Sequence, residues 1–541
     1  MPPKPSRRWS ILSGLLLLAL LGLIFATFPD YGMTLDEGVQ NRYGRRLVRW
    51  YATHGQDARA TEQNDLYFYG GLFELAVQAV QPYSGLGVYD NRHVVNALFG
   101  LVGIVAAWGM GAQLGGPAAG FLSALFLTLT PAYYGHSFAN PKDIPLAALF
   151  ALAAWAILSA SERVPRLGWR EAVTTGVAIG LAAGVRVAGI VLFGFAAVLW
   201  LACFWLERRE PTGPPGREGQ HRWARLGLAW LGTVAVGWSV MVAFWPWAQL
   251  DPLRNPLRAL FKFSSFSDRM DLLFDGRMLT SGTIPRSYAV TWFAITLPEF
   301  YFVAILLGGA AVLVLARRHF REPAFRRRLL QAAWVAALAA APVAWVTVRR
   351  TPLYNGHRHL LFVLPFLAVV AGLSVTAWWE SRPRPLLRGA AALVLAASLL
   401  LTAVDMVRLH PYQYVYFNRL IAGGLPRAVD RYDADYWLAA AKEGIEWVAA
   451  NYDEEARPIR VGGLLLTHTP FRYYLGRIEG ARRRFRPVTF DQGPRLVLAS
   501  TAYRHHERTR GRVVHVVERM GAPLLYIYDL GPPGKTPRKH P

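Results

Sequence analysis

Long apolar runs dominate this chain and limit what it can fold into. About eleven of them approach the ~20 residues that an α-helix needs to cross a bilayer. With 53% hydrophobic and 17% charged residues, the chain is too apolar for an ordinary soluble enzyme. We therefore predict an all-α polytopic membrane protein with a small C-terminal α/β domain. The predicted spans are residues 11–28, 94–112, 116–133, 144–161, 171–186, 188–206, 224–245, 292–316, 329–347, 359–379 and 388–406.

Loop charges predict the orientation of these spans. The net charge is +24, and arginines concentrate in alternate turns at 163–170, 208–225, 317–328 and 382–388. The positive-inside rule assigns those turns, and the basic N-terminus, to the cytoplasm. Because such loops attract anionic lipid, the charge indicates membrane lipids as partners and no nucleic acid. With eleven spans, the C-terminal segment lies outside.

The last ~130 residues no longer contain spans of that length. We predict three units: a transmembrane domain at 1–408, an extracytoplasmic α/β domain at 409–530, and a disordered tail at 531–541 that is rich in Pro, Gly and Lys. The predicted elements of the middle unit are an amphipathic helix at 436–451 and short strands at 459–466, 495–500 and 524–529.

Two adjacent carboxylates, Asp36 and Glu37, follow the first apolar run. A carboxylate at the end of a span is costly unless it has a partner or a function. The pair can be solvated at the interface or cap the next helix. Alternatively, it supplies a general base or a metal ligand at the membrane surface.

Basic and polar residues also gather in the other outer loops. One short turn combines His136, Asn140, Lys142 and Asp143. Asp143 can cap a helix and Lys142 can extend to the interface, but Lys and Arg also suit a phosphate ligand. Arg186 lies between two apolar runs, where an arginine is costly. It either has an ion-pair partner or a ligand, or it is an interfacial arginine at a tight, glycine-flanked hairpin.

A fifth outer loop contains Tyr354, His357, Arg358 and His359. The two histidines are two positions apart, and side chains at that spacing on a helix do not converge on a metal. Hydrogen bonding to an anionic or sugar ligand is the favoured interpretation, against an aromatic belt with a satisfied histidine. Nearly every candidate acid, base and phosphate-binding residue therefore lies on the predicted outer side. This sorting indicates one outer-face site for a negatively charged substrate with an apolar part in lipid.

The acidic pair resembles the first-loop motif of the GT-C glycosyltransferases. Three longer stretches, 135–145, 358–365 and 410–418, resemble family 39-like bacterial enzymes related to dolichyl-phosphate-mannose–protein mannosyltransferases and lipid A aminoarabinose transferases. The resemblance covers roughly residues 10–425. It implies a bacterial-type inner (plasma) membrane location and a GT-C-like fold. It also implies transfer of a sugar from a polyprenyl-phosphate donor to a lipid, glycan or protein acceptor.

The resemblance also implies roles for residues. Asp36 would be the base or orient the acceptor hydroxyl for inverting attack, with Glu37 in support. Three cations are candidates for the donor phosphate, from their chemistry and side: Lys142, Arg186 and Arg358. Residues that would bind the sugar or acceptor, or hold the base, are His136, Asn140, Asp143, Tyr354 and His357. A divalent metal is possible, as in some relatives, and its ligands would be Asp36, Glu37 and Asp143.

Two other classes remain open. A transporter or flippase of a lipid-linked or anionic substrate should carry charges near the bilayer midplane on interrupted, repeated helices. The sequence shows polar groups at span ends and no repeat. A non-catalytic envelope assembly scaffold explains the C-terminal unit but leaves Asp36, Lys142 and Arg186 without a role.

Overall fold

The computed structural model describes residues 7–63, 65–208, 218–264, 269–453 and 457–531. Helices dominate the first three quarters of the chain. They are α1 (Arg7–Thr27), α2 (Glu37–Ala52), α3 (Leu72–Ser84), α4 (Val88–Thr128), α5 (Pro131–Ala139), α6 (Asp143–Ser161), α7 (Trp169–Ala183), α8 (Val191–Arg208), α9 (Glu218–Ala243), α10 (Pro246–Leu250), α11 (Arg254–Ser264), α12 (Tyr288–Thr296), α13 (Glu299–His319), α14 (Pro323–Arg349), α15 (Leu364–Glu380) and α16 (Pro385–Leu409).

Nine helical segments of the described ranges are long and apolar enough to cross a membrane, by length and composition. They confirm the prediction of a multi-pass helical membrane protein. The segments are Arg7–Asp30, Val88–Thr128, Asp143–Ser161, Val187–Arg208, Arg222–Ala243, Glu299–His319, Pro323–Arg349, Arg358–Glu380 and Pro385–Leu409.

Two elements explain why the described residues contain nine such segments, whereas the sequence predicted eleven spans. Helix α7 has 15 residues, about 22 Å of helix, which is shorter than the hydrocarbon core. Helix α4 is broken at Gly116, where φ is 80° and ψ is −179°. A Cβ on Gly120 would lie 2.9 Å from the Trp108 carbonyl oxygen, so the chain folds back there. The spans predicted at 94–112 and 116–133 correspond to the two arms of this hairpin.

Helix α6 lies at the centre of the helical bundle. It packs against α4 and α7, and nearly all of its side chains are buried, Phe150 and Ile157 among them. Helix α1 lies at the edge and exposes Leu15 and Leu18, as expected of a helix that faces lipid. Residues at the start of α6 are therefore held by a helix that is packed on several sides.

The remaining elements are short and lie in the segments that the sequence predicts to be outside. The helices are α17 (Leu425–Ala428), α18 (Ala441–Asn451), α19 (His468–Leu475) and α20 (Ala481–Arg484). The strands are β1 (Asp271–Phe274), β2 (Arg277–Thr280), β3 (Ile459–Gly463), β4 (Phe485–Pro487), β5 (Leu496–Ser500), β6 (Arg512–Arg519) and β7 (Ala522–Asp529). Strands β1 and β2 form a hairpin, and the others form one sheet in the order β4-β3-β5-β7-β6. Strand β3 runs parallel to β4 and β5, whereas β7 is antiparallel to β5 and β6.

The small C-terminal sheet confirms the predicted α/β character, with differences in detail. The three predicted strands correspond to β3, β5 and β7, while β4 and the half-exposed edge strand β6 were not predicted. The predicted helix begins at Ala441, because the Asp435 carboxylate accepts the N–H groups of Ala439 and Ala440 in a tight turn. The predicted disordered tail lies outside the described residues beyond Gly531.

The C-terminal elements attach directly to the first outer loop. The Leu35 N–H donates to the Trp437 carbonyl oxygen at 3.3 Å. The Met33 N–H donates to the Tyr474 hydroxyl at 2.6 Å. Helix α16 ends at Leu409, next to the predicted domain boundary at 408/409, and the division into domains remains a prediction. These contacts fix the segment that carries Asp36.

Candidate active site

Asp36 forms an ion pair with Lys142. The Lys142 Nζ atom lies 3.0 Å from Asp36 Oδ2, and 39% of the Asp36 side chain remains exposed. The Asp36 side chain does not cap α2, so the capping alternative is wrong. Burial opposes ionisation of Asp36, but Lys142 and Arg358 outweigh it and hold its pKa below the usual value. Asp36 is thus an ionised, reachable carboxylate at neutral pH.

Asp143 collects two further cations. Arg186 Nη1 donates to Asp143 Oδ1, and Arg358 Nη1 lies 3.7 Å from Asp143 Oδ2. Arg186 directly precedes the span that starts at Val187, and Arg358 begins another span. Three cations thus meet two carboxylates at one end of the bundle, which leaves a formal excess of 3 − 2 = 1 positive charge.

Asn140 organises the turn before α6. Its Oδ1 atom accepts the backbone N–H groups of Lys142 and Asp143, at 3.3 and 3.0 Å. Its Nδ2 atom donates to Asp143 Oδ2 at 2.9 Å. Asn140, rather than Asp143, therefore satisfies the first N–H groups of this turn. Asn140 thus fixes the position of Asp143 through both its backbone N–H and its carboxylate.

Aromatic rings cover the cations. The Tyr69 ring centroid lies 5.3 Å from Lys142 Nζ and 5.3 Å from Arg186 Cζ. Arg358 Cζ lies 4.8 Å from the rings of both Tyr354 and Trp437. Such faces orient cations and limit their access to water. Trp437 comes from the C-terminal segment, so that segment completes the site.

Two glycines allow Tyr69 to reach this position. A Cβ on Gly70 would lie 2.0 Å from the Gly184 carbonyl oxygen. The same oxygen accepts the Leu72 N–H at 3.1 Å. Only a residue without a side chain permits this approach. The Tyr69 loop is thereby attached to the turn that carries Arg186.

Glu37 occupies a different environment from Asp36. Its carboxylate accepts the Thr34 N–H at 2.8 Å and lies 3.7 Å from Arg92 Nε and 3.3 Å from His93 Nε2. Arg92 also forms a bidentate pair with Glu74, at 2.7 and 2.9 Å. The side chains of Arg92 and Glu37 are 0% and 1% exposed. Glu37 is therefore the partner of a nearby cation, Arg92, and its predicted supporting role in catalysis stays a prediction.

Two of the predicted sugar-binding histidines are buried beside the cations. His136 Nε2 lies 2.9 Å from the Tyr436 hydroxyl, and burial lowers the pKa of His136 to about 3. His357 packs on Phe293 and lies 3.4 Å from the Thr296 hydroxyl. Burial lowers the pKa of His357 to about 4. Both rings are therefore neutral.

The C-terminal segment adds a polar cluster behind His136. The Tyr414 hydroxyl donates to Asp435, and the Tyr414 ring lies 5.2 Å from the His136 ring. Burial raises the pKa of Asp435 to about 6. His136, Tyr414, Tyr436 and Asp435 thus form one buried group that joins α5 to the C-terminal segment.

A metal site is not apparent in the described ranges, where no group of three or more His, Cys, Asp or Glu side chains is arranged to hold an ion. Of the three predicted ligands, Asp36 and Asp143 contact cations and Glu37 is held by Arg92 and His93. A cluster of basic groups does not fit a divalent cation but suits an anion.

The sequence predictions missed the residues that shape the site from a distance. Tyr69, Trp437, Tyr436 and Tyr414 all lie in aromatic-rich outer segments, which are also typical of membrane-interface belts. The Gly70-Gly71 pair after Tyr69 was the available signal for close packing. Arg92 and Glu74, which belong to the same ion-pair cluster as Glu37, could have been noticed because they are charged residues within apolar or amphipathic stretches.

Comparison with known proteins gives one family and several similar folds. Residues 91–212 match the family model for dolichyl-phosphate-mannose-protein mannosyltransferase. No curated protein matches the chain. ArnT from Cupriavidus metallidurans, solved with undecaprenyl phosphate, is 15% identical over 96% of this chain and 98% of that one, with a TM-score of 0.49. The Archaeoglobus fulgidus oligosaccharyltransferase in its apo form is 11% identical over 91% of this chain and 69% of that one, with a TM-score of 0.49.

Over residues 91–212 the chain is thus similar to the dolichyl-phosphate-mannose-protein mannosyltransferases, in agreement with the predicted resemblance. The matched segment contains Lys142, Asp143 and Arg186. Asp36 and Arg358 lie outside it, on segments that the fold brings to the same place.

Proposed function

We propose that the protein is a membrane glycosyltransferase that moves a sugar from a polyprenyl-phosphate donor to a hydroxyl acceptor. The observation that carries this proposal is the cluster in which Lys142 pairs with Asp36 while Arg186 and Arg358 pair with Asp143. One cluster then supplies both an ionised carboxylate and cations for a phosphate. The family match of residues 91–212 supports the reaction class.

Asp36 is the proposed base. Its carboxylate takes the proton of the acceptor hydroxyl, whose oxygen attacks the anomeric carbon from the face opposite the phosphate. The bond between that carbon and the phosphate oxygen breaks, and polyprenyl phosphate leaves with the electron pair. The sugar is thus transferred with inversion, and the proton ends on Asp36.

Lys142, Arg186 and Arg358 are the proposed partners of the leaving phosphate. Negative charge grows on its oxygens as the bond breaks, so fixed cations stabilise the transition state more than the ground state. Lys142 contacts Asp36 directly, and a phosphate that shares Lys142 weakens that ion pair. Binding of the donor then raises the pKa of Asp36 and makes it a stronger base.

The neutral His136 and His357, with Tyr354, are proposed to line the sugar or acceptor side. Neutral imidazoles donate and accept hydrogen bonds, as sugar hydroxyls require. Asn140 and Asp143 are proposed to hold the cations in place. Glu37 is assigned a structural role, because its carboxylate is sealed within the Arg92 pair.

The proposed setting is the outer face of a bacterial-type inner membrane, with the N-terminus in the cytoplasm. The clustering of arginines in alternate turns supports this orientation. The cations lie at span ends: Lys142 directly precedes Asp143–Ser161, and Arg358 starts Arg358–Glu380. A phosphate at that depth can keep its polyprenyl chain in lipid. Transporter sites lie near the midplane instead, so the transporter alternative is disfavoured.

The test is transfer by the purified chain in vesicles supplied with polyprenyl-phosphate sugars and with lipid, glycan or peptide acceptors. We expect release of polyprenyl phosphate and formation of a product with inverted anomeric configuration. Asp36→Asn should lose transfer. Asp30→Asn, a change in the same predicted outer loop as Asp36, should keep transfer, because the Asp30 carboxylate pairs with His410 instead. Full transfer by a folded Asp36→Asn variant would contradict the assignment of the base.

A further inference from the structure

The exposed side of α11 carries a repeated pattern. From residue 253 onward an apolar residue recurs every four positions, and a basic residue follows each one. The pairs are Leu253-Arg254, Leu257-Arg258 and Phe261-Lys262. All six side chains are exposed, whereas Asn255, Pro256 and Ala259 are buried against the protein. The sequence from 252 to 264 contains no acidic residue.

The start of α11 lies beside a helix that is long and apolar enough to span a membrane. Trp238 is within the membrane-spanning segment Arg222–Ala243, and its Nε1 atom donates to the Pro252 carbonyl oxygen at 2.8 Å. Trp238 precedes the end of that segment by five residues, or about 7 Å along the helix. Pro252 therefore lies beside the spanning helix, not beyond it. Leu253, which is 70% exposed, follows directly after Pro252 at the level of this apolar segment.

Contacts at both ends of α11 fix its position on the protein. Asn255 Nδ2 donates to the Trp247 carbonyl oxygen at 2.8 Å, which attaches α11 to α10. At its other end, Lys262 lies 5.5 Å from the Phe68 ring and 3.8 Å from Asp65. Both ends are thus attached to the outer segments, and the Leu-Arg face between them points away from the protein.

We propose that α11 is a membrane-interface helix whose exposed face binds anionic phospholipid on the side of the membrane that carries Asp36. Its apolar side chains enter the boundary between headgroups and acyl chains, and Arg254 and Arg258 extend to lipid phosphates. The absence of acids and the repeated arginines match an anionic surface. Continuity with the spanning segment through Trp238 favours a lipid partner over a soluble protein.

The position of α11 also bears on the proposed donor site. Phe263 packs on Tyr69, with ring centroids 4.9 Å apart. The same Tyr69 ring faces Lys142 and Arg186. The helix thus lies on a side from which a lipid-borne phosphate can reach these cations. This last relation rests on the proposed function, whereas membrane binding by α11 does not.

The experiment measures the depth of Leu257 in vesicles. The full chain contains one cysteine, Cys203, so Leu257→Cys in a Cys203→Ser background accepts a single nitroxide label. Vesicles contain phosphatidylcholine alone or with phosphatidylglycerol, and collision rates with oxygen and with a water-soluble nickel chelate report depth. We expect the label about 5–10 Å below the headgroups in the anionic vesicles. Val513→Cys, on the exposed edge strand β6, is the water-exposed control.

The second arm tests the charge. In anionic vesicles, Arg254→Gln with Arg258→Gln should shift the Leu257 label toward water, whereas in pure phosphatidylcholine the shift should be absent. A label at Leu257 as accessible to nickel as that at Val513 would overturn the proposal and indicate a soluble partner for this face. Equal depths with and without the arginines in both vesicle types would overturn the anionic-lipid partner. The depth measurement needs no sugar transfer, so failure of the proposed reaction is distinguishable.

Discussion

Two charged clusters flank the first turn of α2, and they differ in access to solvent. In one, Asp36 meets Lys142 and keeps more than a third of its side chain exposed. In the other, Glu37 meets Arg92 and is 1% exposed. The first can exchange its partner for a substrate group, because its ion pair is open. The second cannot, because every change leaves a buried charge without compensation. Two adjacent carboxylates thus differ in access, and only Asp36 has the access to solvent that the proposed reaction requires.

The largest expected effect separates the two carboxylates directly. Asp36→Asn should lower the turnover number about 10²–10⁴-fold, because a general base is lost. The melting temperature should stay close to that of the parent, since the side chain is partly exposed. Glu37→Gln should show the reverse, with lower stability and higher turnover per folded molecule than Asp36→Asn. Transfer assays and thermal unfolding of both variants check this; equal activity losses would remove the distinction between them.

The next effect concerns the sealed cluster. Arg92→Met leaves Glu37 and Glu74 buried without their shared cation, which should destabilise the protein by about 3–5 kcal/mol. Arg92→Lys should recover part of the loss, because it restores a charge but not the bidentate geometry. Thermal unfolding in lipid nanodiscs measures both. A stability of Arg92→Met equal to that of the parent would show that the cluster contributes little.

Lys142 provides a pH-dependent test of the open cluster. Lys142→Met should lower turnover at neutral pH about 10²-fold, by loss of a cation at the leaving phosphate. It should also raise the pKa of Asp36, since Lys142 holds that pKa low against burial. The required carboxylate form is then lost at a higher pH on acidification, so the acid limb of kcat/KM should move to higher pH.

Lys262→Met is the matched control for that profile. Lys262 lies on the same outer side and also combines an aromatic face, Phe68, with a carboxylate, Asp65. Its removal should leave the acid limb in place. An unmoved acid limb in Lys142→Met would mean that Asp36 does not limit the reaction at low pH.

The smallest expected effect concerns the aromatic cover. Tyr69→Leu removes the ring that faces Lys142 and Arg186, and at about 0.5–1 kcal/mol for each of the two contacts it should lower kcat/KM about 5–30-fold. Tyr69→Phe keeps the ring and should stay near the parent. Steady-state kinetics with the lipid donor distinguishes the two. A Tyr69→Phe defect as large as that of Tyr69→Leu would assign the effect to the hydroxyl instead.

The apolar runs were sufficient to predict the helical membrane part, since a span is defined by length and hydropathy. Gly116 and the 15 residues of α7 changed the count but not the class. The C-terminal strands were harder to predict. In strand β6 apolar and polar residues alternate only in part, and the strand contains charged residues. Its own sequence therefore predicts a strand only weakly, and β6 forms because β7 offers a pairing edge.

Candidate site residues could be named from charge at span ends, and the structure brings Asp36, Lys142, Asp143, Arg186 and Arg358 together. The sequence could not decide which of Asp36 and Glu37 is accessible to a substrate. That difference in access depends on Arg92 and Glu74, which are 55 and 37 residues further along the chain than Glu37. It could not find Trp437 either, because contacts over such separations leave no local pattern.

By itself, the sequence determined that this chain is a polytopic helical protein, and it predicted that its candidate acids and cations lie at one set of span ends. The reason is that transfer into lipid depends on local composition, and composition is readable along the chain. Only the tertiary structure decided which carboxylate stays open. Packing seals Glu37 under Arg92, and the same packing turns Asp36 toward Lys142, so access to a substrate is a property of the assembled fold.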